Sequence, residues 1–421
     1  MTSTTDRATT PQAPSRWLWI VVVVLAVVLS GVGLMTADAH GMIDLKVYRM
    51  GGSALLHGEP LYGVHLPGFG LPFTYPPFAA IAMIPFVAMP WILAGVVWTA
   101  IAVLCLAQIW RVCLYYAWPG LRNWSARRRT ALLIVVTVLS LPLEPVRETL
   151  LFAQINLLLA AIILTDLVAR PRGRWAGVLV GVATALKLTP VLFMVLLVVT
   201  RQWRLLRNAV LGFAAAVAIG FVVVPNQSWD YWTRVVADSG RIGNPEFVSN
   251  QSVNGFLSRL IGTDSPALKP LWFVIASAIA LLTLWLARRY WYAEDRLTAV
   301  SVCALGALFA SPVSWSHHWV WVVPSGVAMV NVLHRRTGSW RPAGIAGGLW
   351  FAVFEVGPIW WSPNRSGLEL TWTFWQSLAG NAYLIAGLAA LAVLAWASPT
   401  RRRPEADELH AANSSSNPPT V

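Results

Sequence analysis

Long apolar runs separated by short polar segments recur along almost the whole chain. Two of them, at residues 17–35 and 271–287, approach the ~20 residues that a helix needs to cross a bilayer. The pattern predicts an all-α polytopic membrane protein with about ten to twelve transmembrane helices and long outer loops. The first run is too long for a signal peptide, so we interpret it as a membrane anchor.

The composition supports this prediction. Hydrophobic residues make up 57% of the 421 residues and charged residues only 12%, whereas a soluble domain has roughly 25% charged residues. The net charge of +13 comes from short basic clusters between the apolar runs. Such clusters indicate membrane orientation, so we do not interpret the charge as a nucleic-acid surface.

The chain is predicted to hold one transmembrane domain at residues 16–398. Polar tails at 1–15 and 399–421 are expected to be disordered and cytoplasmic. The basic loops at 170–174 and 201–207 are expected on the same side of the membrane.

One region conflicts with this orientation. If segments 77–89 and 91–117 both cross the membrane, the basic residues at 122–129 fall outside, against the usual rule. Either one of the two segments does not cross, or the rule is broken there. The segments 36–76, 142–149, 226–266, 311–318 and 361–375 are expected outside. The polar and aromatic content of the two long ones, 36–76 and 226–266, predicts that the functional site is on that side.

The first outer segment contains Asp44, Tyr48 and a proline-flanked aromatic motif around Tyr75. Asp44 is either a general base close to the bilayer surface or a helix-capping residue. At such a position we expect little full burial, so its pKa should stay close to the ordinary value.

Polar side chains also interrupt apolar segments further along the chain. Arg147 precedes such a segment, and Gln154 and Asn156 begin it, so both amides need partners, either in another helix or in a site. Lys187 lies in apolar surroundings close to Pro190, which ends or kinks its helix. A lysine there either extends to the membrane surface or binds an anion.

Two further polar motifs lie in the expected outer segments. Asn250 and Gln251 are in the second long segment, and His317 and His318 are flanked by tryptophans. Adjacent histidines can bind metal, but no cysteine or carboxylate lies at metal-ligand spacing, so no metal site is predicted.

Six motifs occur in a fixed order, at 44–48, 72–77, 154–156, 187–190, 250–254 and 311–318. Together they resemble the mycobacterial polyprenol-phosphate-mannose-dependent mannosyltransferases of glycosyltransferase family 87, in the GT-C membrane class. The stretch 48–62 is more similar to the α-(1→2) branching enzymes of lipomannan and lipoarabinomannan than to the phosphatidylinositol mannoside enzyme. The glycine that the family has before its Gln-x-Asn motif is Ala153 in this sequence.

The resemblance implies mannose transfer from polyprenol-phosphate-mannose to a lipoglycan on the outer face of the plasma membrane. A phosphatidylinositol mannoside is the alternative acceptor. The reaction would invert the anomeric centre in a single displacement, with Asp44 as the base. The remaining expected contacts are Lys187, His317, His318, Arg147, Gln154 and Asn156 for the donor, and Tyr48, Tyr75, Asn250 and Gln251 for the acceptor or loops. No cofactor is implied, and the Asp-x-Asp pattern of metal-dependent transferases does not occur.

Two other classes of protein remain as alternatives. A secondary transporter would place ionisable residues near the membrane midplane, often in two pseudo-symmetric halves. Here the polar motifs gather on one side, and no halves match. A non-catalytic protein that binds membrane lipids is the other alternative, and the Asp, Lys and His residues do not favour it.

Overall fold

The computed structural model describes residues 41–399, together with Ile20 and Val24. The expected first span at 17–35 is otherwise outside the described residues. So are the two expected tails, apart from Pro399.

The described residues form 17 α-helices, joined by short 3-10 and π segments, and contain no β-strand. The helices are α1 Ile43–His57, α2 Pro77–Val87, α3 Trp91–Ala117, α4 Ala126–Leu139, α5 Glu144–Phe152, α6 Asn156–Leu164, α7 Val178–Leu186, α8 Val191–Val199, α9 Trp203–Val223, α10 Pro225–Thr233, α11 Val253–Ile261, α12 Leu268–Tyr292, α13 Arg296–Ala310, α14 Val322–Thr337, α15 Trp340–Val356, α16 Phe374–Gly380 and α17 Ala382–Trp396. The predicted all-α fold is confirmed.

Several of these helices have the length and composition of membrane spans. Within the described part of the chain, α3, α9 and α12 are each long and apolar enough to cross. The pairs α4–α5 and α16–α17 bend by 84° and 68°, and each pair can be one broken span, which gives up to five. The protein is therefore a polytopic membrane protein, as predicted. The expected total of ten to twelve spans stays a prediction.

The length of helix α2 favours one answer to the conflict in orientation. It has only 11 residues and contains Pro85, so it rises about 17 Å, whereas the hydrocarbon core is about 30 Å thick. Helix α3, with 27 residues, is long enough to cross. If α3 crosses and α2 does not, residues 122–129 fall on the expected cytoplasmic side, in agreement with the positive-inside rule.

Close packing fixes α1 against the rest of the first outer segment and against α2. A Cβ on Gly51 would lie 2.4 Å from the Phe73 ring, and one on Gly52 would lie 2.8 Å from Val87. Only glycine permits this approach at either position. Asp44 lies in the first turn of the same helix, so this packing sets its position.

Helix breaks place the other polar motifs. Helix α5 ends before Ala153, whose φ is 55°, and α6 starts at Asn156. Helix α7 ends at Leu186, directly before Lys187, which has an extended backbone, and α8 starts after Pro190. A short 3-10 segment, Ser316–Trp321, precedes α14. Irregular backbone inside a membrane protein is tolerated where it is buried in protein or lines a cavity.

Candidate active site

A cavity of about 860 Å³ connects residues from separate parts of the chain. One set of its wall residues, which we name the inner cluster, consists of Asp44, Tyr75, Gln154, Lys187, His317 and His318. The structure thus brings together six residues that the sequence motifs singled out. A volume of this size suits a small organic ligand or several sugar rings.

Lys187 is the positive centre of the inner cluster. Its Nζ donates one hydrogen bond to Asn156 Oδ1 and one to His318 Nε2, both at 3.0 Å. It also lies 5.8 Å from the centre of the Tyr75 ring. An ammonium group has three N–H donors, so one remains for a ligand. These contacts are with protein groups, so Lys187 does not extend to a membrane surface.

The two histidines have different surroundings. His318 accepts from Lys187 through Nε2, which leaves the proton of its neutral ring on Nδ1. His317 is buried and lines the cavity, and neither of its ring nitrogens has a partner among the described residues. Burial, followed by the charge of Lys187, lowers the pKa of both rings well below the ordinary value. His317 therefore offers a hydrogen bond to a ligand, while the positive charge comes from Lys187.

Asp44 does not act as a helix cap. The N-cap of α1 is Met42, with no side-chain capping bond. Burial raises the pKa of Asp44 to about 7, against the lowering effects of Lys187 and of a hydrogen bond with Gln154. The expectation of an ordinary pKa was wrong, because the protein surrounds this carboxyl group more fully than its distance from the first apolar run suggested. A carboxyl group with a pKa near the operating pH is well suited to general-base catalysis.

Tyr48 supports the inner cluster from behind, through Gln154. Tyr48 is 2% exposed, is not part of the cavity wall, and donates a hydrogen bond to Gln154 Oε1. The Ile155 N–H donates to the same oxygen at 2.9 Å, while Gln154 Nε2 contacts the Tyr75 hydroxyl at 3.3 Å. These bonds hold Gln154 against the cavity and leave Tyr48 as a positioning residue.

Asn156 and Arg147 do not line the cavity. Asn156 Oδ1 accepts a hydrogen bond from Lys187, and Asn156 Nδ2 donates one to the His317 carbonyl at 2.9 Å. Asn156 therefore acts through these two residues. The side chain of Arg147 is 45% exposed and is paired with Glu148 at 3.5 Å. This position does not support the predicted contact between Arg147 and a donor phosphate.

Asn250 and Gln251 also lie behind the cavity wall, and both are 0% exposed. Asn250 donates to the Pro245 carbonyl at 2.9 Å and accepts from the Ser314 N–H at 2.9 Å. Gln251 Nε2 donates to the carbonyls of Val248 and Gly380, both at 2.7 Å. Each side chain is occupied by backbone groups, so this arrangement does not support direct contact with an acceptor.

Arg259 completes this buried group and was missed from the sequence. Its guanidinium donates to the carbonyls of Phe247 and Asn250 and to Asn381 Oδ1, the last at 2.7 Å. We name Asn250, Gln251, Arg259 and Asn381 the rear cluster. Its role is to hold the segment 244–251, part of which forms the cavity wall.

Several charged wall residues were not anticipated either. They are Asp238, Arg241, Glu246, Arg365 and Glu369. All lie in segments expected outside the membrane, where charged residues are common and are usually solvated. No spacing or neighbour in the sequence marks these five as cavity residues.

The described residues contain no preformed metal centre. No group of three or more His, Cys, Asp or Glu residues there has a suitable arrangement. The two histidines instead face Lys187 and the cavity.

Comparison with known proteins connects this geometry to a family. The sequence model of glycosyltransferase family 87 matches residues 73–312. A polyprenol-phosphate-mannose-dependent alpha-(1-2)-phosphatidylinositol mannoside mannosyltransferase of Mycolicibacterium smegmatis is 37% identical over 380 residues, covering 85% of this chain and 84% of that protein. The protein of the same description from Mycobacterium tuberculosis is 34% identical over 408 residues and covers 93% of both chains.

A phosphatidylinositol pentamannoside mannosyltransferase of Mycolicibacterium smegmatis is also similar, with 33% identity, 86% of this chain and 87% of that protein covered. No solved structure matches the chain.

Proposed function

The chain belongs to glycosyltransferase family 87, and on that premise we propose that it transfers mannose from polyprenol-phosphate-mannose to a phosphatidylinositol mannoside, forming an α-(1→2) linkage. The observation that carries the proposal is the inner cluster, where a carboxylate and a lysine supported by histidine line one cavity. The relatives' names supply the donor and the acceptor.

The chemistry follows from the positions of Asp44 and Lys187. An acceptor hydroxyl attacks the anomeric carbon of mannose, the bond from that carbon to the phosphate oxygen breaks, and polyprenyl phosphate leaves. The hydroxyl proton passes to the Asp44 carboxylate. A β-linked donor then gives an α-linked product, with inversion in one displacement.

The leaving phosphate gains negative charge as its bond to mannose breaks. Lys187 has one N–H free to meet this charge, and the His317 ring can donate a further hydrogen bond. Charge-assisted bonds that strengthen in the transition state lower the barrier. His318 and Asn156 hold the ammonium group in place.

The acceptor is the finer part of the proposal. The three similar proteins described above are named for phosphatidylinositol mannosides, which supports this acceptor over the lipoglycan favoured by residues 48–62. Branching of lipomannan or lipoarabinomannan stays a prediction. Both acceptors can be tested in one assay.

The test is transfer of labelled mannose by the purified protein in lipid vesicles. Polyprenol-phosphate-mannose is the donor, and phosphatidylinositol mannosides and lipomannan are offered separately, followed by linkage analysis. We expect an α-(1→2)-mannosylated phosphatidylinositol mannoside. Transfer to lipomannan alone would restore the lipoglycan interpretation, and transfer to neither would contradict the proposal.

Lys187 provides a test of the donor site within that assay. Lys187→Ala should lower kcat/KM about 10²–10³-fold, as expected when a donor of hydrogen bonds to developing negative charge is removed. Lys187→Arg should restore activity only in part, because a guanidinium fork does not replace a point charge equally. Lys269, which is exposed and outside the cavity, is the control, and Lys269→Ala should be fully active. Full activity of Lys187→Ala would remove Lys187 from the donor site.

We also propose that the cavity faces the outside of the plasma membrane. The basic loops at 170–174 and 201–207 support this orientation. A cysteine at position 239 should react with an impermeant reagent in intact cells, whereas one at position 398 should not. Labelling at position 398 alone would reverse the orientation.

A further inference from the structure

Two arginines line the cavity without belonging to the inner cluster. Arg241 and Arg365 come from separate segments, both on the expected outer side. Neither forms an ion pair with any residue that the structure describes. The cavity therefore has a second source of positive charge that the transfer reaction itself does not use.

The side chain of Arg241 is hydrogen-bonded on one edge and unpaired on another. Its Nη2 donates to the Tyr62 carbonyl at 2.7 Å. Its Nε is buried and has no hydrogen-bond partner among the described residues. A buried N–H without a partner is costly, and an oxygen of a bound anion would satisfy it.

Arg365 lies in a tight turn at the cavity wall. Its φ is 78° and that of Ser366 is 54°, a left-handed conformation that is unfavourable for residues other than glycine. The turn is closed by the Arg365 N–H, which donates to Glu369 Oε1 at 2.9 Å. Glu369 Oε1 thus accepts a backbone N–H, and the Arg365 guanidinium has no ion-pair partner among the described residues.

The surrounding wall suits a glycan better than a polyprenyl chain. Asp238 and Glu246 can accept hydrogen bonds from sugar hydroxyls, and Tyr231, Phe247 and Trp315 offer aromatic faces. Asp238 accepts the Gly240 N–H at 3.2 Å, and a lipid tail would offer neither carboxylate a further hydrogen bond. A sugar chain with one negative group would match both the carboxylates and the arginines.

The two substrates in the proposed reaction each have one phosphodiester. The donor phosphate is bonded to the mannose that reacts, so it must lie beside Asp44 and Lys187. In the acceptor, inositol and mannose rings separate the phosphate from the hydroxyl that reacts, so the acceptor phosphate must lie elsewhere in the cavity.

We propose that Arg241 and Arg365 bind the phosphodiester of the lipid-linked acceptor, an arginine site separate from the lysine site of the donor. Planar guanidinium groups favour bidentate contacts with phosphate oxygens. The inference rests on the proposed function, and it assigns these residues to acceptor selection rather than to the chemical step.

The experiment compares two acceptors with the full-length protein in vesicles. One acceptor is a phosphatidylinositol mannoside, and the other is a neutral alkyl α-mannoside without phosphate. Arg241→Ala and Arg365→Ala should each raise KM for the phosphorylated acceptor about tenfold or more, as expected for a lost charge-assisted bond. The effect on KM for the alkyl mannoside and for the donor should be much smaller. Arg241→Gln and Arg365→Gln repeat the test if an alanine variant does not accumulate.

Arg234 supplies a matched control. It lies close to Arg241 in the same segment, is 77% exposed, is paired with Asp230 at 2.7 Å, and does not line the cavity. Arg234→Ala should leave both acceptor KM values unchanged. Water-soluble glycerophosphoinositol should compete with the phosphorylated acceptor in the wild type, and compete less well in the two variants.

Each other outcome overturns the inference in a recognisable way. Equal KM changes for both acceptors would make the arginines structural. A change in donor KM alone would assign them to the donor phosphate, and an effect seen only in vesicles of anionic lipid would assign them to the membrane surface. Failure of the wild type to use either acceptor would instead contradict the proposed function.

Discussion

The inner and rear clusters are both groups of polar side chains in an apolar protein, yet they are built in different ways. In the rear cluster, the side-chain amides of Asn250 and Gln251 are bonded to backbone groups. In the inner cluster, the ring of His317 has no partner among the described residues and the carboxyl group of Asp44 lines the cavity. Buried polar groups are normally satisfied, so those left open to a cavity indicate a ligand, and those that are satisfied indicate structure.

The two clusters are nevertheless connected. Asn250 accepts a hydrogen bond from the Ser314 N–H, and Ser249 Oγ accepts one from the Ser316 N–H at 3.0 Å. His317 follows directly in the chain. The rear cluster, together with the adjacent Ser249, thus positions the backbone from which the histidines project, and its effect on the reaction should be indirect.

The largest effect should come from Asp44. If it is the base, Asp44→Asn keeps the shape of the side chain but loses the ability to accept a proton. Turnover should fall about 10²–10⁴-fold, measured at saturating donor and acceptor, while the protein accumulates normally and still binds the donor. Asp264→Asn, at an exposed position outside the cavity, should keep wild-type turnover. An Asp44→Asn variant with more than about a tenth of wild-type turnover would contradict a role as base.

The pH dependence should follow the same carboxyl group. Its pKa is raised to about 7, and only the deprotonated form accepts a proton. The value of kcat/KM should therefore rise about tenfold per pH unit below that pKa and level off above it. A profile that is flat between about pH 5 and 8 would mean that another group, or no group, acts as the base.

The sequence predicted the fold well because apolar length and charge placement are local properties. It also singled out the inner cluster, because a carboxylate, a lysine and paired histidines are rare in apolar surroundings. It did not distinguish His317 from His318, or Lys187 from Arg147, because these differences depend on which side chain faces the cavity. That depends on the helix breaks and on packing between distant segments.

The sequence also could not show that the polar residues of the rear cluster are structural. Asn250 and Gln251 are in a motif as polar as those of the inner cluster, and their contacts with Pro245, Ser314 and Gly380 are made only in the folded chain. Arg241 and Arg365 were missed because charged residues in outer loops are ordinary. Only the cavity distinguishes them.

A smaller effect, on stability rather than on catalysis, is expected in the rear cluster. Gln251→Ala leaves the carbonyls of Val248 and Gly380 without their buried donor, which should lower the free energy of unfolding by about 1–3 kcal/mol. Turnover per folded molecule should stay within a few-fold of the wild type. Denaturant unfolding in detergent measures the first quantity, with Gln227→Ala, at a half-exposed position, as the control. Normal stability combined with lost turnover would instead make Gln251 an acceptor contact.

The smallest effect should come from Ala153, beside Gln154 in the inner cluster. Its φ of 55° is left-handed, which costs a residue with a Cβ roughly 1–2 kcal/mol, and the family resemblance predicts glycine at this place. Glycine relieves that strain, but it loses more conformational entropy on folding than alanine, which lowers stability by about 0.5–1 kcal/mol. Ala153→Gly should therefore raise the free energy of unfolding by about 0.5–1 kcal/mol with turnover unchanged. Ala215 is exposed within α9 and has an ordinary helical backbone with no such strain. Ala215→Gly should therefore lower the free energy of unfolding. If both variants lose stability equally, the left-handed backbone at Ala153 is not a strained feature of the site.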